Sequence, residues 1–327
     1  MVNILYKERM DFMENKLLIW MIYTQNDYKK NKVYYNMHKE KGQEMGLDIK
    51  LIFLEDLSFG IENNIHYINY KNQTVELPIG VIMRSRYAIL SRQFEYMGIK
   101  VFNNSYVCNI CNDKAKTYQL LGEIGIDIIP SRFVINECID NIINDNIYNK
   151  QTQKDSTDNE SKTTEYIIKT VNGHGGNEVF KLRDYKETVH SKKTVDMVIQ
   201  PLIDKCNKDV RVYVLNNSIL AAVERCSSND FRSNYSLGGS VKEYFLKENE
   251  KEIVERIIKL FKEETTEYDV RGLFYVGIDF LVDSNGRFIF NEIEDVVGSR
   301  MLYKVKDIDV VWLYLQEIYK SVCNKRL

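Results

Sequence analysis

The chain has 327 residues, of which 44% are hydrophobic and 28% charged, and its 45 Lys and Arg against 47 Asp and Glu leave a formal net charge of −2. That length suits two or three lobes and not one small core. Acids and bases are interspersed, which excludes a global field for nucleic acid, so any anion site must be local. No apolar run approaches the roughly 18 residues that a membrane-crossing helix needs.

The stretch KLLIWMIY (Lys16 to Tyr23) is apolar but follows polar and acidic residues, so it reads as a buried strand and not as a signal peptide. NKVYYNMHKEKGQEMG (Asn31 to Gly46) reads as a helix stopped by Gly46, and DIKLIFL and GVIMRSR read as further strands. Strand, helix, strand predicts a small α/β lobe with a parallel sheet over residues 1–110. ILSRQFEYMGIKVFNNS repeats the theme, with Gly98 as the helix stop and KVFN as the strand.

A second unit, 111–203, opens with a helix over Lys114–Glu123 that Asn112 or Asp113 can cap. Residues 148–164 are almost devoid of apolar side chains and are expected to be a disordered loop. The strands EYIIKT, NEVFKL and VDMVIQPLI follow. A third unit, 204–327, reads as strand, hairpin, helix and hairpin, with a turn at Asn216-Asn217. Six cysteines do not make a disulfide framework; Cys108 and Cys111 have redox or zinc spacing, but no second such pair exists, and reduced structural thiols in a cytoplasmic protein are expected.

Three acids stand inside apolar, strand-like runs in YVGIDFLVDSNGRFIFNEIEDVVGSR (Tyr275 to Arg300). A two-residue type I′ turn at Asn285-Gly286 would set Asp279 opposite Glu292, with Glu294 on the same face beside Leu281, Phe288 and Phe290. Clustered carboxylates repel unless something cancels their charge. Three oxygen donors on a rigid hairpin suit Mg²⁺, and the absence of His and Cys nearby argues against zinc. Solvation, or pairing to arginine, is the alternative.

EYIIKTVNGHGGNEVFKL places Gly173, Gly175 and Gly176 in a turn between strands, where backbone N–H groups can approach an anion, with Lys169 at the end of the first strand. An ordinary flexible hairpin tip is the alternative. Asp209, Arg211 and Tyr213 share one face of a strand. Arg232, Asn234 and the Gly238-Gly239 pair gather donors in a loop suited to a phosphate or carboxylate.

The order NDK, glycine-rich hairpin after a lysine, IQPLI, DVRVYV, DFRSN…GGS, GIDFLV and FNEIEDVVG resembles the ATP-grasp superfamily, and most closely the RimK-like carboxylate–amine ligases, over about residues 80–300. The resemblance implies a small α/β lobe followed by two α+β lobes that clamp ATP. It implies that Lys114 and Lys169 contact ATP phosphates, that the glycine loop forms a lid, and that Gln200 to Leu202 bind adenine through their backbone. Asp209 would bind near the ribose, and Arg232, Ser233 and Asn234 would contact the nucleotide. Asp279, Glu292 and Glu294 would hold Mg²⁺, two ions of it, with Mn²⁺ able to substitute. Arg211 and Arg225 would hold the acyl phosphate or oxyanion. Arg300, Gly298 and Arg84 would serve the substrate, a salt bridge from Arg300 to Glu294 or Asp295 being the alternative. Glu294 stands where the family usually has Asn, Pro201 follows Gln200, and DVVG replaces the usual SSPG. The implied reaction joins a small-molecule or peptide carboxylate to an amine through an acyl phosphate. Modification of a ribosomally made peptide and a non-catalytic nucleotide sensor are the alternatives. A homo-oligomer would suit the family.

Overall fold

The computed structural model describes residues 17–135, 165–173, 178–182, 185, 196–203, 205–226 and 240–323. The segment 148–164 expected to be disordered lies outside them. The first lobe runs β1 (Leu17–Tyr23), a helix Gln25–Glu44, β2 (Leu47–Phe53), β3 (Leu57–Glu62), β4 (Ile65–Tyr70), β5 (Gln73–Thr74), β6 (Gly80–Met83), a helix Ala88–Tyr96 and β7 (Lys100–Phe102). Strands β2, β1, β6 and β7 form a parallel sheet in that order, and β3, β4 and β5 form a separate antiparallel meander.

Strand β1 is an unbroken apolar run because both of its faces are covered, as parallel sheets require. Ile19, Met21 and Tyr23 join one core, and Leu18, Trp20 and Ile22 join another with Leu90 and Phe94 of the Ala88–Tyr96 helix. The first helix begins six residues before the expected Asn31. Thr24 caps it by accepting from Asp27 N at 3.0 Å. Asn31 is instead a kink with φ −121°, its side chain donating to Asp27 O at 2.8 Å. The side chain competes with the backbone ladder there, which mimics a helix start in sequence. Gly46 ends the turn at φ +78°, as expected.

The chain then passes through helices Ser105–Cys111 and Lys114–Glu123 to β8 (Arg132–Val134), β9 (Tyr166–Thr170), β10 (Val179–Lys181) and β11 (Met197–Pro201). These strands make an antiparallel sheet in the order β10, β9, β11, β8. Among the described residues its core holds Val134, Ile168, Tyr185, Met197 and Ile199. Asp113 caps the Lys114–Glu123 helix by accepting from Ala115 N and Lys116 N. Cys108 and Cys111 are buried free thiols, and burial raises both above the usual thiol range.

The largest sheet follows: β12 (Lys205–Leu215), β13 (Ser218–Cys226), β14 (Ser240–Tyr244), a helix Glu248–Glu264, β15 (Tyr275–Asp283) and β16 (Phe288–Glu294), then helices Leu302–Val305 and Val310–Cys323. The strand order is β14, β13, β12, β15, β16, all antiparallel. Asn216 and Asn217 both take positive φ, 44° and 61°, the two-residue turn expected between β12 and β13. Val210, Val212, Val214, Val276, Ile278 and Phe280 face the Glu248–Glu264 helix. Tyr213, Leu215, Val223 and Tyr275 face the other way and share a core with the first sheet and the C-terminal helix. Asn103 locks the two lobes together. Its side chain donates to Tyr275 O and Asp295 O and accepts from Phe274 N and Tyr275 N, at 2.7–3.0 Å.

Candidate active site

The β15–β16 hairpin pairs Asp279 with Glu292 and Gly277 with Glu294. The expected pairing of the acids is present, but the expected route to it is not. Asn285 does not take positive φ; only Gly286 does, at +77°. The Asp283 carboxylate accepts from Asn285 N and Arg287 N at 2.9 and 2.8 Å, and Gly286 N donates to Asp283 O. This Asx-type turn sets Val282 opposite Phe288, one residue away from the type I′ register. A β-bulge between Asp279 and Phe280 then leaves Asn291 without a ladder partner and restores the acid pairing. The bulge also reverses the side-chain alternation. Phe288 and Phe290 therefore enter the core with Ile293 and do not stand beside the acids as the sequence pattern implied.

Arginine answers the negative charge. Arg211 grips Asp279 bidentately, Nε to Oδ1 and Nη2 to Oδ2, both at 2.7 Å, and its Nη1 lies 2.6 Å from Glu294 Oε2. Arg225 Nη2 donates to Asp279 Oδ2 at 2.7 Å, and its Nε donates to Asp209. Arg86 stands 3.7 Å from Glu294. Burial works against the charge of Asp279, but Arg211 and Arg225 outweigh it and hold the carboxyl below its usual range. For Asp209 burial wins over Arg225, and its carboxyl stays above that range. Asp209 is thus placed behind Arg225, as its anchor.

A carboxylate has about four lone-pair positions, and the guanidinium groups occupy three of those on Asp279, leaving one on Oδ1. Glu292 and Glu294 are about 30% exposed, and their ion-pair partners among the described residues are Lys114 for Glu292 and Arg86 and Arg211 for Glu294. Among the described residues no three acids converge as a ready metal cage. The donors are nevertheless all oxygen, partly exposed and surrounded by cations that an ion could displace, which fits a hard divalent ion keeping most of its waters.

Opposite the hairpin, the Lys114–Glu123 helix supplies two side chains four residues apart, hence on one face. Lys114 Nζ donates to Gly173 O and lies 3.6 Å from Glu292 Oε2. Lys114 N also donates to Val171 O at 3.0 Å, which pins the start of the glycine loop. Tyr118 accepts from Lys169 Nζ at 2.9 Å and donates to Asn291 O at 2.7 Å. Lys169 is buried, and burial lowers its ammonium to about 8. Among the described residues Tyr118 is its one hydrogen-bond partner.

Gln200 is fully buried; its amide donates to Ser131 Oγ at 2.8 Å while Oε1 has no partner among the described residues, an acceptor left for a ligand donor. Leu202 N–H is engaged with Glu165 O at 2.7 Å, so only its carbonyl side remains for a base. Arg84 is buried under the loop that follows the acids, donating to Val297 O and Val296 O at 3.0 and 3.3 Å and facing the rings of Tyr23 and Tyr34. Gly298 O accepts from Tyr213 OH, and the space where a Cβ would stand is open. Arg300 is exposed and donates to Asn31 at 3.3 Å, away from Glu294 and Asp295. Gly175, Gly176, Arg232, Ser233 and Asn234 lie outside the described residues.

Two residues of the site have roles that no sequence pattern announces. Gly277 gives Arg211 its path: a Cβ there would stand 3.0 Å from Arg211 Cδ and 2.9 Å from Val297 Cγ2. In sequence it is the glycine of GIDFLV, inside an otherwise apolar strand, with nothing that ties it to an arginine. Tyr118 has no sequence signal, since an aromatic at that helix position reads as core.

An acid-bearing antiparallel hairpin on one sheet, facing a lysine of a second antiparallel sheet and another at the start of the helix between them, is the arrangement of an ATP-grasp protein. The RimK-like ATP-grasp domain model matches residues 111–318, and the chain belongs to that family, whose members are ATP-dependent ligases. It is 24% identical over 322 residues to protein MG011 of Mycoplasma genitalium, covering 96% of this chain and 98% of that one. It is likewise 24% identical over 294 residues to the alpha-aminoadipate–LysW ligase LysX of Saccharolobus solfataricus, covering 85% and 94%. Among solved structures, the ATP-grasp ligase PsnB complexed with minimal precursor, Mg and ADP superposes with a TM-score of 0.59 at 16% identity, covering 94% of this chain and 98% of that one.

Proposed function

We propose that the protein joins a carboxylate to an amine, using MgATP. The substrate carboxylate oxygen attacks the γ-phosphorus, the bond to ADP breaks, and an acyl phosphate forms. The amine nitrogen then attacks the acyl carbon, phosphate leaves with its electron pair, and the amine loses a proton to give the amide. The protein positions the reactants and stabilises developing charge.

Lys114 and Lys169 bind the phosphates under a lid formed by Gly173, Gly175 and Gly176, which excludes water from the labile acyl phosphate. Gln200 and Leu202 hold the adenine, and Arg232, Ser233 and Asn234 hold the rest of the nucleotide. Arg225, steadied by Asp209, and Arg211 stabilise the oxyanion. Glu292, Glu294 and the open lone pair of Asp279 would hold Mg²⁺, which neutralises phosphate charge. Arg84 and Gly298 shape the acceptor loop, and Arg300 at its rim offers a cation to a substrate carboxylate.

The observation that carries this reading is the pairing of two buried lysines with an acid hairpin whose three carboxylates are offset in part by two arginines. The test is phosphate and ADP release from ATP across pooled carboxylates and amines, with mass spectrometry of the product. Release that depends on both pools and yields a mass equal to acid plus amine minus water is expected; ATP turnover insensitive to every carboxylate overturns it.

A second reading, modification of side chains on a ribosomally made peptide, draws on the precursor bound to PsnB. Turnover with free amino acids and no peptide would exclude its strict form.

A further inference from the structure

The Lys114–Glu123 helix bridges the smaller sheet, β8 to β11, and the acid hairpin by two rungs. In the first, Lys114 reaches Gly173 O on one side and Glu292 on the other. In the second, Tyr118 joins Lys169 Nζ to Asn291 O through its single hydroxyl. Both rungs use one helix face, and both end on the same two elements, β9 with its following loop and β16.

The second rung is built from unusual parts. Tyr118 is almost wholly buried, and its ring packs edge-on against Phe290 with centroids 6.0 Å apart. Its acceptor is the carbonyl of the one residue that the bulge removes from the ladder. Its donor is a buried ammonium that makes no ion pair among the described residues. A tyrosine hydroxyl can accept one bond while donating another, which a serine-length side chain could not do across this span. Lys169 uses one of its three N–H donors on the hydroxyl. Two have no partner among the described residues and can meet an anion, and they are aimed by the first.

We infer that Tyr118 is a positioning residue for nucleotide binding: it fixes the Lys169 ammonium against the acid hairpin so that phosphate meets an oriented cation. The inference rests on the nucleotide reading above. A free lysine head loses considerable rotamer freedom when a phosphate captures it, and a pre-held one loses less. The contribution falls chiefly on the phosphates: the Tyr118 hydroxyl holds Lys169, and from the adenine strand it faces the Gln200 side chain, whose amide donates to Ser131 Oγ.

Tyr118→Phe removes the hydroxyl and keeps the ring against Phe290. Calorimetric titration of the full-length wild type and variant with MgADP and, separately, with adenosine reads the effect, and thermal melting monitors the fold. The expected result is MgADP binding weakened about tenfold, as for loss of a hydrogen bond to a charged group, with a clearly smaller loss for adenosine, whose strand meets this hydroxyl through Gln200. Tyr118→Leu, which also removes the ring, should lower the melting temperature as well. Equal MgADP affinity in wild type and Tyr118→Phe overturns the inference, and so does an equal loss for MgADP and adenosine, which marks general loosening. A wild type that binds neither ligand overturns the nucleotide reading and this inference with it.

Discussion

The five-stranded central sheet, β12 to β16, and the smaller sheet, β8 to β11, carry buried charge in opposite ways. In the central sheet, Asp209, Arg225, Asp279, Arg211 and Glu294 form one chain of ion pairs, and the sheet is covered by apolar cores on both faces. In the smaller sheet, Lys169 is a buried cation held, among the described residues, by one phenol. A network satisfied from within is a fixed template. A cation with donors left over for a ligand is a receptor. Damage to the template should therefore unfold the protein, and damage to the receptor should loosen the ligand.

The sharpest break in that contrast would come from Asp279→Ala. It takes three charged hydrogen bonds from two buried guanidinium groups and leaves each with one carboxylate, so a loss of about 3 kcal/mol of stability is expected in urea denaturation. A melting curve like the wild type's would mean that the arginines are free to reach solvent. Lys169→Met should leave stability intact or improve it, while weakening MgADP binding by about 10- to 100-fold.

The pH dependence sharpens this further. Burial lowers Lys169 to about 8, so in the free protein the ammonium is intact below that pH and lost above it. Wild-type MgADP affinity should hold below pH 8 and then fall by up to tenfold per pH unit, and Lys169→Met should show no such limb in the same titrations. The sign for folding is opposite. The cost of burying the charge is fully present below pH 8 and fades as pH rises towards the unfolded value near 10.5, so this group favours folding more at alkaline pH.

Gly277→Ala should cost about 1–3 kcal/mol by overpacking, since its Cβ would press Arg211 and Val297; melting and ADP release measured together would show the template shifting with partial unfolding. The smallest effect belongs to Arg300→Ala. One exposed 3.3 Å bond to Asn31 is lost, so stability should stay within about 0.5 kcal/mol, and MgADP titration should match the wild type.

What could be read beforehand follows from local chemistry. The apolar run of β1, the Gly46 stop and the Asn216-Asn217 turn each have a cause within a few residues. Asp279 and Glu292 could be paired because an acid inside an apolar strand is conspicuous. The turn and the bulge could not be seen. Asp283 displaces the type I′ turn by bonding its own loop, and the resulting slip is cancelled at Asn291, so two errors offset each other. The arginine balance was harder still, since Arg211 and Arg225 reach Asp279 across strands, by a path that Gly277 opens. Tyr118 looked like one more core aromatic, because its role depends on a hydroxyl meeting two groups more than fifty residues away in sequence.

Asn291 has a consequence for how the hairpin is made. Without it, the strand would read Phe-Ile-Phe-Glu-Ile-Glu, an unbroken alternation that already sends its phenylalanines inward and its acids outward. The ladder gains nothing from the added residue. What it supplies is a carbonyl turned out of the sheet, where a helix on the far side of the cleft can take hold, so that one inserted amide links the strand that holds the acids to the strand that holds the lysine.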